Sequence, residues 1–291
     1  MAEPILKWPG GKAWAKQYLS AYLSPKILDG HTYIEPFIGS GALAFSLEYQ
    51  NTIINDINPE LINLYKVVAT DPEALIAELT EFAQFHSEKF YYAVRAWDQD
   101  PNFSSYPPVK RAARTVYLNK TGFNGLYRVN KKGYFNVPIG RTTSGKMPDI
   151  VQADKIRRLS MYLKQGVRIL NLDYKEVIES AQPGDIIFLD PPYSSFPGKN
   201  GFVSYVKDGW TDDDLEELRN LCNFKIQQGC HVILTNNATP RVLELFSTPD
   251  YHIDLVDVKR SINSKGDGRG AVKEVIIVDN ELFSKVNNEI C

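Results

Sequence analysis

Short apolar runs, each closed by an acid, an amide or a turn-forming residue, recur along the chain. They predict strands buried on both faces rather than half-exposed ones. Residues 31–34, 52–55, 167–171, 185–189 and 230–235 all have this form. Between them the apolar spacing becomes helical. Leu43, Ala44, Phe45, Leu47 and Tyr49 predict one helix. Residues 60–100 are also predicted helical, with Leu75, Ile76, Leu79, Phe82 and Phe85 on one face. Inside that span Asp71-Pro72 supplies a cap and a first-turn proline. A loop at 101–108 precedes a helix expected through Lys110, Arg111, Arg114 and Tyr117. Thr211 and Asp214 form a capping box ahead of Leu215, Leu218, Leu221 and Ile226. Residues 253–258 and 275–278 predict a terminal strand pair around a glycine-rich loop at 260–270. No internal repeat is visible. The alternation of strand and helix predicts an α/β sheet, interrupted between about residues 60 and 150.

The 291 residues are enough for one large or two modest domains, and 43% of them are hydrophobic, an ample core. No apolar run reaches the length of a membrane span. Met1-Ala2-Glu3-Pro4 lacks the features of a signal peptide. Cys222, Cys230 and Cys291 are too few and too clustered for a disulfide framework or a zinc site. These features predict a cytoplasmic protein. The net charge of −2 is a poor guide to its partners, because the charges are segregated. Residues 101–170 carry fourteen Lys or Arg against two acids, Asp149 and Asp154. A basic segment of that kind suits a polyanion.

Chemistry-bearing residues gather where strands are predicted to end. Asp190-Pro191-Pro192-Tyr193 directly follows the run at 185–189, and Ser194, Ser195, Pro197, Gly198 and Gly201 continue it as a loop. An open α/β sheet places its ligands at such carboxyl ends. The prolines stiffen the turn and remove donors, leaving the Asp190 carboxylate and the Pro191 carbonyl as fixed acceptors. Two acceptors gripping the N–H groups of an exocyclic amine would aim its lone pair at an electrophile, and Tyr193 could stack on the flat face. The same four residues would also serve as an ordinary strand-ending turn.

Other stretches add to this. In Lys7-Trp8-Pro9-Gly10-Gly11-Lys12 a tight turn is flanked by a stacking surface and a cation. Glu35-Pro36-Phe37-Ile38-Gly39-Ser40-Gly41 is a glycine loop between strand and helix, without the full dinucleotide fingerprint or a phosphate loop. Asp56, about twenty residues on, stands where an acid meets ribose hydroxyls, or where it caps the next helix with Asn58-Pro59. The stretch from Phe123 to Pro138 has no stable period and mixes amides, one arginine and aromatics with glycines, as base-edge reading requires.

Together these motifs resemble the Dam-type DNA adenine-N6 methyltransferases. The resemblance rests on Lys7–Lys12, Glu35–Gly41, Asn55-Asp56-Ile57-Asn58, the Phe123–Pro138 stretch, Asp190–Tyr193 and Lys259-Arg260-Ser261-Ile262. Their order is that of the α group, and they span nearly the whole chain. Phe123 stands where some members have tyrosine, so stacking survives there and a hydroxyl contact does not. Tyr127 stands where some have cysteine. The resemblance implies a seven-stranded, Rossmann-like methyltransferase sheet with an inserted, mainly helical DNA-recognition domain. Residues 1–60 and 151–291 would form the catalytic domain and 61–150 the target-recognition domain.

It also implies S-adenosyl-L-methionine as cofactor and double-stranded DNA as partner, with adenine N6 methylated in GATC after base flipping. Asp190, Pro191, Pro192 and Tyr193 would form the catalytic motif. Trp8, Lys12, Glu35, Phe37, Gly39, Gly41, Asp56, Asp173 and Asp190 would hold the cofactor. Lys7, Phe123, Asn124, Leu126, Arg128, Asn130 and Pro138 would meet DNA. No metal is required, because the sulfonium methyl is already activated, and a monomer in solution is expected. A longer site containing GAT, or the same chemistry on RNA or a protein glutamine amide, is the alternative. A non-catalytic DNA-binding protein of this fold would show damage to the reaction motif or the cofactor loop, and both are intact.

Overall fold

The computed structural model describes residues 1–8, 12, 14–141, 148–193, 210–259 and 271–290. The Pro9-Gly10-Gly11 turn, the loop with Ser194, Ser195, Pro197, Gly198 and Gly201, and the loop at 260–270 with Arg260, Ser261 and Ile262 lie outside the described residues.

Two single-turn helices, α1 (Lys16–Leu19) and α2 (Pro25–Leu28), lead into β1 (Tyr33–Glu35), α3 (Ala44–Leu47) and β2 (Thr52–Asn55). The chain then leaves the sheet through α4 (Pro59–Thr70), α5 (Pro72–Gln84), α6 (Glu88–Arg95) and α7 (Pro108–Thr121), returning by α8 (Ala153–Leu163). There follow β3 (Arg168–Leu170), α9 (Tyr174–Glu179), β4 (Ile186–Leu189), α10 (Asp212–Gln227) and β5 (His231–Asn237). Last come α11 (Pro240–Phe246), β6 (Tyr251–Lys259), β7 (Ala271–Asp279) and α12 (Asn280–Ile290).

The strands form one seven-stranded sheet in the order β3-β2-β1-β4-β5-β7-β6, confirming the expected Rossmann-like sheet. β7 runs antiparallel to both its neighbours, and the other pairs are parallel. From β1 the chain builds one half outward through β2 and β3, and β4 starts the other half beside β1. The β1–β4 boundary is therefore the switch point where such sheets bind ligands. Central strands are buried along their length, as their unbroken apolar runs require. Successive residues alternate between two cores. Tyr33, Ile54, Ile186 and Phe188 join one, and Ile34, Ile53, Ile187 and Leu189 join the other. The first core continues into α4, α5, α7 and α8, so the helices between β2 and β3 share it with one sheet face.

Several boundaries differ from expectation for local reasons. β1 starts two residues late and takes in Glu35. α3 is one turn because Glu48 adopts a left-handed conformation that closes it. The helical span after residue 60 is broken where Asp71 caps α5 and Ser87 caps α6. Asn58, not Asp56, caps α4. Thr211 and Asp214 make the anticipated capping box on α10.

Part of the basic excess is taken up by ion pairs within the chain, some buried and some at the surface. Arg111 pairs with Glu60, Arg157 with Glu73 and Lys155 with Glu3. Buried Arg114 pairs with Asp98 at 2.8 Å and donates to the carbonyls of Val94 and Arg95. It thereby satisfies acceptors that the end of α6 would otherwise leave open.

Candidate active site

Glu35, Asp56 and Asp190 stand at the carboxyl ends of β1, β2 and β4, neighbouring strands around the switch point. The Asp190 side chain is held from two directions. Lys12 Nζ lies 2.9 Å from its Oδ1, and the Thr235 hydroxyl donates to the same oxygen at 3.4 Å from β5. Lys12 is 3% exposed, so its ammonium depends on these partners rather than on water. It also donates to the Tyr193 hydroxyl, lies 4.8 Å from that ring's centre, and approaches Glu274 Oε2 at 3.5 Å. Burial raises the Asp190 carboxyl above its ordinary range, with the adjacent Lys12 charge and hydrogen bond opposing the rise. Pro191 is buried and Pro192 half-buried beside it.

The glycine loop turns between β1 and α3. Gly39 and Gly41 both need positive φ, at 47° and 71°. A Cβ on Gly39 would meet Trp8 Cδ1 at 2.9 Å, and one on Gly41 would run into the Phe45 ring. Asp56 accepts from the Gly39 amide at 3.1 Å and the Asn58 amide at 3.0 Å, joining the loop to the end of β2. Burial pushes its carboxyl up to about 6 against those two amides. Phe37, Tyr174 and Trp210 form an aromatic cluster with ring centres 5.1 to 5.7 Å apart. The buried Tyr174 hydroxyl and Trp210 Nε1 have no hydrogen-bond partner among the described residues. A flat nucleoside would fit this set, with aromatic faces, orphaned polar groups and an acid for its ribose. Asp173 is exposed, and its carboxylate caps α9 through the Lys175 amide.

Glu35 is buried at the end of β1 and accepts from the Tyr33 hydroxyl at 2.9 Å. Burial pushes its carboxyl up to about 8, with the Tyr33 hydrogen bond opposing and Asp190 adding to the rise. Such a group holds its proton more tightly folded than unfolded. Its contribution to stability is lost as pH rises from 4.5, its ordinary value, through about 8. The slope is at most about 1.4 kcal/mol per pH unit. Glu35→Gln is therefore expected to melt above the wild type at about pH 7.5 and to match it at about pH 4.5. Scanning calorimetry across that range checks this, and a difference that ignores pH would mean Glu35 does not titrate there.

The segment from Phe123 to Pro138 is a loose hairpin closed by an isolated bridge between Val129 and Phe135. The Asn130 side chain accepts from the Lys132 and Tyr134 amides to shape the tip, where Lys131 and Lys132 are exposed. Arg128 Nε donates to Asn136 Oδ1 at 2.6 Å. Phe123 is 42% exposed, Asn124 is exposed in a left-handed conformation, and Pro138 is exposed. Leu126 is half-buried, and Lys7 is exposed beside Gly125.

Two residues overlooked in the sequence assemble these parts. Asn119 of α7 accepts from the Lys7 amide and donates to the Lys7 and Gly125 carbonyls, fastening the N-terminal segment to the hairpin. Trp8 reinforces this by stacking on Tyr127 at 5.4 Å. Glu274 of β7 accepts from the Tyr193 hydroxyl at 3.3 Å as well as approaching Lys12. Neither is part of a motif. The spacing Lys273-Glu274-Val275, an acid inside an apolar strand, was the one available signal for Glu274.

The sheet order, with its antiparallel seventh strand, is that of the α/β methyltransferases. The profile of the D12 class N6 adenine-specific DNA methyltransferases matches residues 8–262, and the chain belongs to that family. It is 38% identical over 293 residues to the type II methyltransferase M.MjaIII of Methanocaldococcus jannaschii, covering 95% of this chain and 99% of the relative. It is 36% identical over 277 residues to the type II methyltransferase M1.LlaDCHI of Lactococcus lactis subsp. cremoris, covering 95% of each. The Retron Ec67 DNA adenine methylase of Escherichia coli is 33% identical over 279 residues, covering 94% and 90%. The Dam-type resemblance is thereby confirmed, and the chain is an adenine-specific DNA methyltransferase. Among the described residues no helix is long and apolar enough to cross a membrane, and no side-chain cluster could hold a metal ion.

Proposed function

We propose that the enzyme transfers a methyl group from S-adenosylmethionine to N6 of an adenine turned out of duplex DNA, within GATC. The observation that carries this reading is what Lys7, Trp8 and Lys12, close together in the sequence, each contact. Lys7 is fastened to the hairpin by Asn119, Trp8 lies between Tyr127 and Gly39, and Lys12 pairs with Asp190. Base recognition, donor binding and chemistry would thus share one support. Residues 61–150 act in this reading as the recognition domain, 1–60 and 151–291 as the catalytic one, and the enzyme works as a cytoplasmic monomer.

Trp8, Lys12, Glu35, Phe37, Gly39, Gly41, Asp56 and Asp173 are the residues assigned to the donor. The donor supplies a methyl group on a positively charged sulfur, which keeps the bonding pair as the new N–C bond forms. Asp190 and the Pro191 carbonyl accept the two N–H groups of the amine, and Tyr193 stacks on the base. Asp190 works as an acceptor during transfer and takes up the proton that the methylated nitrogen sheds. An adenine inside the duplex cannot reach it, so the base must leave the stack.

The test is to incubate plasmid with enzyme and donor, then digest it with endonucleases that are blocked by, or depend on, methylated GATC. Resistance to the first and cleavage by the second is expected. Transfer of labelled methyl to the plasmid with GATC still unmodified would refute the site and leave the chemistry standing.

A further inference from the structure

Glu274 lies on β7, across β5 from Asp190, and is paired in register with Asn237. It is 3% exposed, and burying a carboxylate so deeply is costly unless its charge is used. Its Oε2 lies 3.5 Å from Lys12 Nζ and 3.3 Å from the Tyr193 hydroxyl. Lys12 in turn donates to that hydroxyl and pairs with Asp190 Oδ1. Two carboxylates therefore share one ammonium, and the Tyr193 hydroxyl accepts from Lys12 while donating to Glu274.

Paired with Asp190 alone, Lys12 would satisfy that carboxylate and weaken it as an acceptor for an amine N–H. We propose that Glu274 is a positioning residue for methyl transfer: it draws the Lys12 charge toward β7 and fixes the Tyr193 hydroxyl, so Asp190 keeps the acceptor strength the amine requires. The inference rests on Asp190 being the acceptor. Among the described residues, the charged groups set against Asp190 are Lys12 from the N-terminal segment, Glu274 from β7 and Glu35 from the end of β1, with the Thr235 hydroxyl donating to it from β5 and Tyr193 following in its own turn. Removing the Glu274 charge leaves Lys12 the dominant neighbour and pulls Asp190 toward easier ionisation. An easily ionised carboxylate is a weaker acceptor, so transfer slows while the acid side of the pH profile moves to lower pH. Disordered packing would slow transfer without that shift.

Glu274→Gln keeps the shape and an acceptor for Tyr193 but removes the charge, and Glu274→Ala removes both. Single-turnover transfer on duplex DNA is expected to fall roughly tenfold in the first and roughly 100-fold in the second. In E274Q the acid limb should move to lower pH. A second reading needs neither donor nor DNA. The Asp190 carboxyl carbon, identified by its loss in Asp190→Asn, is titrated by NMR in wild type and E274Q, and its midpoint should fall in the variant. Wild-type rates in E274Q, or a slower E274Q with an unmoved acid limb and midpoint, would overturn the proposal. If E274A does not fold, E274Q decides alone. Asp190→Ala runs beside them. Should that variant retain turnover, the assignment of Asp190 has failed rather than the part given to Glu274.

Discussion

Asp190→Ala is expected to lower methyl transfer by about 100-fold or more while leaving affinity for duplex DNA nearly unchanged. The expected size follows from what the side chain would do. An exocyclic amine is a weak nucleophile until its N–H groups are gripped, and in the proposed reading Asp190 would be the charged acceptor of the pair. It is fixed by Lys12 and by Thr235, so little reorganisation would be needed as charge develops. Its removal leaves Lys12 paired with Glu274, which limits the cost to folding. Duplex binding in this reading belongs to the hairpin and Lys7, so a gel shift should be almost unmoved. Because burial raises the Asp190 carboxyl, wild-type transfer should decline as pH falls through its titration, when the protonated group stops accepting. The alanine variant should lose that dependence. Labelled-methyl transfer under single-turnover conditions measures both, and turnover near the wild-type rate would sink the mechanism.

The parts of this site that were legible in the sequence are those whose chemistry is carried by neighbours along the chain. β2 is found at the bounds its apolar run suggested, because a central parallel strand is buried on both faces and its sequence says so. β1 runs one residue beyond its apolar run to take in Glu35, a charged residue on paper whose burial favours its protonated form. The sequence expectations do not include the helices α8, α9, α11 and α12. Asp173, assigned to the donor, also caps α9 with its carboxylate, a local role that its place after a strand does not reveal. Arg114 looked like part of a surface for a polyanion and is buried against Asp98.

What could not be read is the work of residues that meet across long separations. Asn119 meets Lys7, 112 positions away, and Glu274 meets Tyr193, 81 positions away. Each is a buried polar residue, which by itself reads as a satisfied core group. The folded sheet supplies the missing relation. It sets β7 beside β5 and β5 beside β4, bringing Glu274 within reach of a turn that sequence order places far from it.

Arg128→Ala is expected to relax discrimination at one guanine of the recognition site by roughly 1–3 kcal/mol, or about five- to 150-fold in relative rate. Arg128 is the only arginine between Phe123 and Pro138. Its fork is already oriented, since Nε donates to Asn136 Oδ1 at 2.6 Å and Nη2 points to the Asn136 carbonyl at 3.4 Å. Those bonds use one edge of the guanidinium, and the end formed by Nη1 and Nη2 can present parallel donors to guanine O6 and N7. Gly125 and Gly133, both at positive φ, shape the turns on either side. Lys131 and Lys132 are exposed at the tip and lack a planar fork, so they suit phosphates. The Lys131→Ala, Lys132→Ala pair should therefore weaken every sequence alike and flatten the salt dependence of binding. Asn136→Ala should mimic Arg128→Ala in part, by freeing the fork without removing it. The measurement is the methylation rate on GATC and on each of its single-base variants at fixed salt. If Arg128→Ala slows all substrates by one factor, the residue positions the backbone and does not read a base.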